Sequence, residues 1–182
     1  MSTQALETHA PAHSLISDRL PGAYFHDAWS VEAGEPQLSA LEQFLKALLH
    51  TPAWVNTCMT LRNRLVSMLG LKNLGALDNL DRSKSAAEYR PGERVGIFTL
   101  IDNRFDEVLL GDQDQHLDVT LSVYRTPVSP DGKVIVTVTT VVHVKNLLGR
   151  AYMLPVKPMH RLIAPAVLKA VASTRARTAK GR

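Results

Sequence analysis

The chain has 182 residues, of which 45% are hydrophobic and 21% are charged, and these values are typical of one globular domain. No stretch approaches the roughly 18 uninterrupted apolar residues that a membrane-spanning helix needs, so we expect a soluble protein without a membrane span. The net charge of +4 equals the charge of four basic residues at 174–182, so the rest is neutral and no nucleic-acid partner is predicted.

Cys58 is the single cysteine. This excludes an intramolecular disulfide and a zinc site of several cysteines, so we expect a cytoplasmic protein with no metal and no cofactor. The first residues lack the basic start, apolar run and cleavage site of a secretion signal. We therefore predict a flexible N-terminal leader at 1–19, a single domain at 20–173 and a basic C-terminal tail at 174–182.

The predicted domain begins with one strand and two helices. Aromatic and β-branched residues at alternate positions predict a strand over residues 24–31. Leucine and phenylalanine then recur at helical spacing over residues 38–49. Thr51 followed by Pro52 has the form of a cap with proline in the first helical turn, so a second helix is predicted to begin there and to end at Gly70.

Residues 72–93 carry glycine, proline, serine and aspartate with weak apolar periodicity. This composition predicts a long irregular connection. Connections of this length inside compact domains are either functional lids or mobile segments, so two interpretations stay open, the mouth of a pocket and a plain loop.

Four β segments follow, at 95–101, 107–111, 116–125 and 133–145. Asp102 and Asn103 predict a hairpin turn between the first two, and residues 127–132 predict a turn between the last two. Apolar and polar residues alternate along the last two segments, so each offers one face to a core. We therefore predict an antiparallel sheet with one covered face.

The segment after Asn146 carries apolar residues at helical spacing and is predicted to cover this sheet. Pro155, Pro158 and Pro165 lie within it. Because an interior proline removes a backbone hydrogen bond and clashes with the preceding turn, we predict a short helix before Pro158 and a longer helix after it. The predicted fold class is α+β, with a sheet folded against a long C-terminal helix.

One polar cluster lies at the start of the third β segment. Asp114, His116 and Asp118 project together if the strand already runs there, and His143 on the next strand can neighbour them in a suitable register. Two carboxylates beside an imidazole can hold a metal or tune a histidine for proton transfer. Because Leu117 is expected on the core face, the favoured interpretation is that these polar side chains point to solvent or to a sheet edge.

His160 lies near the start of the predicted long helix, where backbone N–H groups are unpaired. Its imidazole is expected either to line a cavity between helix and sheet or to satisfy a buried backbone carbonyl. In the first case Tyr152, Arg62 and Trp54 are its expected polar partners. The second role is favoured, because most buried polar groups are simply hydrogen-bonded.

Several common chemistries are disfavoured by what the sequence lacks. It contains no phosphate-binding glycine loop, no GxSxG elbow, no HExxH pair and no second cysteine for a redox couple. Nucleotide chemistry and the common hydrolase mechanisms are therefore not predicted.

The order of elements resembles the helix-grip fold of the START and polyketide-cyclase (SRPBCC) superfamily, in which a curved sheet wraps a long C-terminal helix around a hydrophobic cavity. Three runs are similar to a bacterial family of unknown function: TPAWVNTCMTLRNRLVSMLGLKNLG, ERVGIFTLIDNRFDEVLLGDQDQHLDVTLSV and TTVVHVKNLLGRAYMLPVKPMHRLI. The residues that match the pattern of that family are Arg62, Asn63, Asp114, His116, Asn146, Gly149, Arg150, Tyr152, Pro158 and His160. The resemblance spans residues 23–171 and implies a fold without an assigned activity.

The leading hypothesis is a protein that binds a small apolar or amphipathic ligand in a cavity between the sheet and the C-terminal helix. Its candidate ligand-binding residues are Trp54, Arg62, Asp114, His116, Tyr152 and His160.

Two alternatives stay open, and so does the question of whether the protein is an enzyme. The first is a cofactor-independent enzyme of the cyclase or dehydratase kind that uses His160, His116 or Asp102 as an acid or base. The second is a structural module that forms a homodimer through sheet or helix faces and binds no ligand.

Overall fold

A computed structural model describes residues 4–68, 80 and 84–173, which form one sheet and three α-helices. The strands are β1 (Leu6–Thr8), β2 (Phe25–Glu32), β3 (Arg94–Val95), β4 (Phe98–Asn103), β5 (Glu107–Gln113), β6 (Leu117–Arg125) and β7 (Ile135–Val144). The helices are α1 (Ala40–Leu49), α2 (Ala53–Met68) and α3 (Leu147–Ala172), with short 3-10 helices at Leu15–Arg19 and Ala86–Glu88. The α+β prediction is confirmed.

The strands lie in the order β1-β2-β7-β6-β5-β4-β3, and every neighbouring pair is antiparallel. The strands from β3 to β7 follow one another as hairpins. β2 instead pairs with β7, placing Trp29 opposite Val138. This pairing joins segments that are far apart in the sequence and brings the N-terminal strands into the same sheet as the later ones. The predicted antiparallel sheet is confirmed.

Local capping explains where α1 and α2 begin. The N–H of Glu42 donates to Ser39 Oγ at 3.3 Å, and the N–H of Ser39 donates to the Glu42 carboxylate at 2.7 Å. This reciprocal capping box starts α1. α2 starts directly after Pro52, whose missing N–H would have no partner in a first turn. The predicted end of α2 at Gly70 lies outside the described residues.

α3 is continuous from Leu147 to Ala172, so the predicted division into a short and a longer helix is wrong. Each interior proline removes the amide that would bond the carbonyl four residues earlier, which affects Ala151, Leu154 and Arg161. All three of these residues are exposed, so water can replace the lost amide. The cost of each proline is therefore low enough for the helix to persist.

Two strand boundaries differ from the prediction. The predicted strand 95–101 is divided because Gly96, with φ of 60°, turns the chain between β3 and β4. Asp102, predicted to lie in a turn, lies within β4 at a bulge that shifts the register between Leu100 and Asp102. The turn falls later, at residues 104–106. Most of the predicted 72–93 connection lies outside the described residues.

Different parts of the chain cover the two faces of the sheet. The inner face packs against α1 and α3. The outer face carries Leu109 and Val141, which pack against Ile16 of the first 3-10 helix, a residue with no exposed surface. The sheet is therefore covered on both faces rather than on one. Residues 6–8 and 15–19, which we expected to belong to a flexible leader, form β1 and this 3-10 helix.

A buried carboxylate fixes the N-terminal segment to the outer face. Glu107 is 3% exposed and accepts hydrogen bonds from the hydroxyls of Ser14 and Ser122 and from the N–H of Leu15. The bond from Ser122 measures 2.6 Å and that from Leu15 measures 2.9 Å. A buried carboxylate without such donors would be costly, so these contacts, here called the Glu107 cluster, hold the segment in place.

Candidate functional site

α3 is anchored at its first turn to the loop between β5 and β6. Asn146 Oδ1 accepts a hydrogen bond from the N–H of Gly149 at 3.0 Å and so caps the helix. Asn146 Nδ2 donates to the carbonyl of Gln115 at 3.1 Å and lies 3.0 Å from His116 Nδ1. A Cβ atom on Gly149 would lie 2.6 Å from the carbonyl oxygen of His116, so only glycine permits this approach.

Two predicted ligand-binding residues, Asp114 and His116, lie in this junction. Asp114 Oδ1 accepts hydrogen bonds from the N–H of His116 at 2.7 Å and of Leu117 at 2.8 Å, which closes the turn. β6 begins only at Leu117, so the strand alternation that would align Asp114, His116 and Asp118 does not extend this far. Asp118 instead lies opposite His143 in the pairing of β6 with β7.

The other end of α3 is anchored to the chain after β2 and to α1. The N–H of Gly34 donates to the carbonyl of Val171 at 3.0 Å. Lys46 donates to the carbonyl of Ser173 and forms an ion pair with Glu35 at 2.7 Å. Lys46 is buried beside the carbonyl end of the helix, where a cation is favoured. Both ends of α3 are therefore fixed.

Between these anchored ends, α3 is only partly buried. Its buried residues lie toward the two ends: Gly149, Met153, Leu168, Val171 and Ala172. Every residue from 154 to 167 keeps part of its surface exposed. Val156, Ile163 and Val167 pack against the core from this stretch but are not enclosed by it. The middle of the helix therefore leaves some of its core-facing surface accessible.

A carboxylate and an imidazole meet at this middle stretch. The side chain of Asp27 on β2 is 2% exposed, and its Oδ1 lies 3.1 Å from His160 Nε2. The indole N–H of Trp29 donates to Asp27 Oδ2 at 3.0 Å. The ring of Phe25 meets the imidazole edge to face, with 5.6 Å between the ring centres. Both carboxylate oxygens and the orientation of the imidazole are thereby fixed.

This arrangement has the parts of a general acid–base pair. A buried carboxylate beside an imidazole orients the ring and stabilises its protonated form. The side chain of His160 is 25% exposed, and its Nδ1 has no hydrogen-bond partner among the described residues. No hydroxyl or thiol within that same part of the chain is hydrogen-bonded to the ring. The pair is therefore suited to proton transfer rather than to activation of a protein nucleophile.

A second polar contact joins α2 to the first half of α3. Arg62 Nε donates to Tyr152 Oη at 2.8 Å, and the guanidinium carbon lies 5.3 Å from the centre of the Tyr152 ring. Tyr152 packs against the apolar cluster that contains Phe25. Two predicted site residues are thus brought together, and they border the same apolar cluster as the Asp27–His160 pair.

The other predicted residues lie elsewhere. Trp54 lies in the first turn of α2, about 12 Å along the helix axis from Arg62, and is 44% exposed. Asp102, the third acid–base candidate, forms a surface ion pair with Arg104 at 3.1 Å. Asp114 and His116 lie at the anchored start of α3, and no contact joins them to His160 in the described part of the chain. Whether any of these residues binds a ligand stays a prediction.

Sequence reasoning missed Asp27, although a signal for it exists. Asp27 occupies one of the alternate positions of β2 that also hold Phe25, Trp29 and Val31, so it is a charged residue on an otherwise apolar strand face. Such a carboxylate requires a buried partner. His160, itself predicted, is that partner.

Two further properties concern the described residues as a whole. Within residues 4–68, 80 and 84–173, no group of three histidine, cysteine, aspartate or glutamate side chains is arranged to hold a metal ion. Among the helices of those ranges, none combines the length and the apolar character needed to cross a bilayer.

Fold and site together define an α+β protein whose long C-terminal helix covers an antiparallel sheet, with a partly exposed imidazole of the helix beside a buried carboxylate of the sheet. A family described as "Protein of unknown function (DUF2867)" matches residues 19–167, and the chain belongs to this family. The predicted membership in a family of unknown function is thereby confirmed. A search of curated proteins gave no match.

Proposed function

We propose that the chain binds a small apolar or amphipathic molecule between the sheet and the middle of α3. The observation that carries the proposal is that α3 is anchored at both ends but only partly buried from residue 154 to 167. Ligand sites of this kind are largely apolar, with a few polar groups that fix orientation. Trp29 and Ile163 supply apolar surface, and the Asp27–His160 pair supplies the polar group.

The order of elements supports assignment of the chain to the helix-grip fold. A first long strand, two helices, a run of antiparallel strands and a long C-terminal helix follow one another in the order that this fold uses. In that fold the helix and the sheet enclose an apolar cavity. Because a fold transfers shape more safely than chemistry, the proposed ligand class rests on the lining residues instead.

The binding test uses the fluorescence of Trp29 as its reporter. In a Trp54→Phe variant Trp29 is the single tryptophan, and it lies beside Asp27 at the proposed site. Anilinonaphthalene sulfonate, an amphipathic aromatic probe, should quench Trp29 emission in a saturable manner by energy transfer. Native mass spectrometry of the freshly purified protein should in addition detect a bound small molecule.

A pair of variants separates a ligand site from a packed core. Val156→Phe enlarges a partly buried side chain that packs against the Phe25 cluster, and it should abolish probe binding with little loss of stability. Leu154→Phe changes a residue that is 69% exposed and should leave probe binding unchanged. If Val156→Phe instead destabilises the fold by about 1–3 kcal/mol and no probe binds the parent protein, the space is a filled core.

A second candidate function is cofactor-independent proton transfer, and the 3.1 Å contact between Asp27 and His160 favours it. In this reaction His160 Nδ1 takes a proton from an acidic C–H or O–H group of a bound molecule and returns it to another atom of that molecule. Asp27 stabilises the intermediate imidazolium. In deuterium oxide a co-purified compound should therefore gain deuterium in the presence of the protein. His160→Gln should stop this exchange while binding persists; equal exchange in the variant would exclude the function.

A further inference from the structure

The outward side of α3 carries a stripe of large apolar side chains. Leu147 is 79% exposed, Leu154 is 69% exposed and Leu162 is 61% exposed. At about 100° per residue these three leucines lie within about 80° of one another around the helix, opposite the side that carries Met153 and His160. The stripe extends over about 22 Å of helix, which is long for an apolar surface left in water.

Positive charge accompanies this stripe, and negative charge is absent from the helix. α3 contains four basic residues and no aspartate or glutamate. Arg150 and Arg161 are exposed and lie within about 40° of Leu154 around the helix axis, so they flank the leucines on one side. Lys157 lies farther round on the same side, where its ammonium group is 3.9 Å from the centre of the Tyr24 ring.

α2 extends the same character to a neighbouring helix. It also lacks acidic residues, and the hydrogen bond from Arg62 to Tyr152 joins it to the first half of α3. Trp54 is 44% exposed and Leu61 is 59% exposed on its surface. α2 thus adds two large exposed apolar side chains, and the Arg62–Tyr152 contact joins this helix to α3.

Three carboxylates at the ends of α3 or beneath it have other partners in the described chain. Glu35 is paired with Lys46 at the C-terminal end of α3, and Asp114 accepts backbone hydrogen bonds in the turn at the N-terminal end. Asp27 is buried beneath the helix beside His160. Arg150 and Arg161 are therefore exposed on a helix that carries no aspartate or glutamate of its own.

We propose that this face, formed by Leu147, Leu154 and Leu162 with Arg150 and Arg161, docks on the surface of an anionic lipid bilayer. An apolar stripe flanked by arginine or lysine, on a helix that lies in the plane of the interface, is the pattern by which helices bind such membranes. Exposed tryptophan is favoured at the same depth of a bilayer. The helix lies on the membrane and does not cross it.

A second copy of the chain is a poorer occupant of this face. Two such faces in contact would bring together arginines of like charge without a carboxylate between them, which opposes association. An anionic bilayer supplies the complementary charge and an apolar layer for the leucines at once. The proposal does not depend on whether a ligand binds beneath α3.

Sedimentation with lipid vesicles tests the proposal on the full chain. The protein should sediment with vesicles of phosphatidylcholine mixed with phosphatidylglycerol, and much less with vesicles of phosphatidylcholine alone. Because the attraction is partly electrostatic, binding should weaken as the salt concentration rises.

Two double variants identify the face. Arg150→Gln with Arg161→Gln should weaken binding to the mixed vesicles by about 25-fold, since each basic residue near the surface contributes a factor of about five. Leu154→Ser with Leu162→Ser should weaken binding by about ten-fold or more, since each leucine loses its burial in the interface. Circular dichroism should show that both variants remain folded, because all four residues are exposed.

The matched control is Val128→Ser with Lys133→Gln, which removes one exposed apolar residue and one charge from the turn between β6 and β7. This variant should bind the mixed vesicles as the parent protein does. Absence of vesicle binding by the parent protein, or equal binding by the leucine variant, would overturn the proposal. So would a dimer in analytical ultracentrifugation that dissociates in the leucine variant, since that result would assign the face to a second copy.

Discussion

Asp27 and Glu107 are buried carboxylates on opposite faces of the same sheet, and the structure surrounds them differently. Glu107 accepts hydrogen bonds from two serine hydroxyls and a backbone N–H, none of which changes its charge near neutral pH. Asp27 accepts one hydrogen bond from the Trp29 indole and contacts the imidazole of His160, which is partly exposed. Both carboxylates are satisfied, but only Asp27 is connected to solvent through a group that can carry a proton.

The difference follows from what covers each face. On the outer face, Ile16 of the N-terminal segment has no exposed surface and packs against the sheet. The Glu107 cluster is therefore shielded from solvent. On the inner face, α3 is anchored at both ends, and its residues between these ends stay partly exposed to solvent. A buried carboxylate is therefore a candidate for chemistry when its cover leaves access, and a structural element when its cover is complete.

The largest expected effect is that of Glu107→Gln. The new amide oxygen can accept the hydrogen bonds from both serine hydroxyls. The amide NH₂ then faces the N–H of Leu15, so this backbone donor loses its acceptor. We expect a loss of about 2 kcal/mol in the free energy of unfolding, measured in urea. Asp102→Asn changes an exposed ion pair with Arg104 and should cost less than about 0.5 kcal/mol. Equal losses in the two variants would show that the Glu107 cluster is not structural.

Asp27→Asn should lower the free energy of unfolding by about 1 kcal/mol, which is less than the loss expected for Glu107→Gln. Its amide oxygen can accept the Trp29 N–H while its NH₂ donates to a neutral His160, so every buried group keeps a partner. The measurement is again urea unfolding, together with the nitrogen chemical shifts of His160, which report the tautomer. A loss larger than that of Glu107→Gln would reverse the proposed contrast between the two carboxylates.

The smallest expected effect is a change in the pKa of Glu93, a partly exposed carboxylate. The pKa of Glu93 is lowered by a hydrogen bond from Lys84 at 2.7 Å and by a second one from the N–H of Arg90 at 2.6 Å. A lowered pKa in the folded state stabilises the fold above the unfolded-state pKa, and this contribution disappears as the pH falls through the folded-state pKa.

Lys84→Gln should raise the pKa of Glu93 toward its ordinary value, as followed by carboxyl chemical shifts in an NMR titration. Lys133→Gln, which removes a cation from the turn after β6, is the control and should leave the pKa of Glu93 unchanged. An unchanged Glu93 pKa in Lys84→Gln would show that the 2.7 Å contact does not persist in solution.

The candidate site was only partly predictable from the sequence. The position of His160 near the start of the predicted long helix marked it as a candidate, and Tyr152 and Arg62 were named as expected partners. The pairing of Asp27 with His160 joins positions 133 residues apart, and it depends on how α3 packs against β2. Asp114 and His116 looked like one cluster because the sequence does not show that β6 begins only at Leu117.

By itself, the sequence determined the α+β class, the positions of α1, the start of α2 and the antiparallel β5–β7 strands, and membership in a family of unknown function. The structural elements follow from local periodicity, capping and turn chemistry, which depend on neighbouring residues alone. The family membership follows from the resemblance of three sequence runs to that family. Tertiary structure decided the continuity of α3 through its prolines, the burial of Ile16 and the meeting of Asp27 with His160. Each of these results depends on which distant segments cover one another, and the free energy of that packing outweighs local preference.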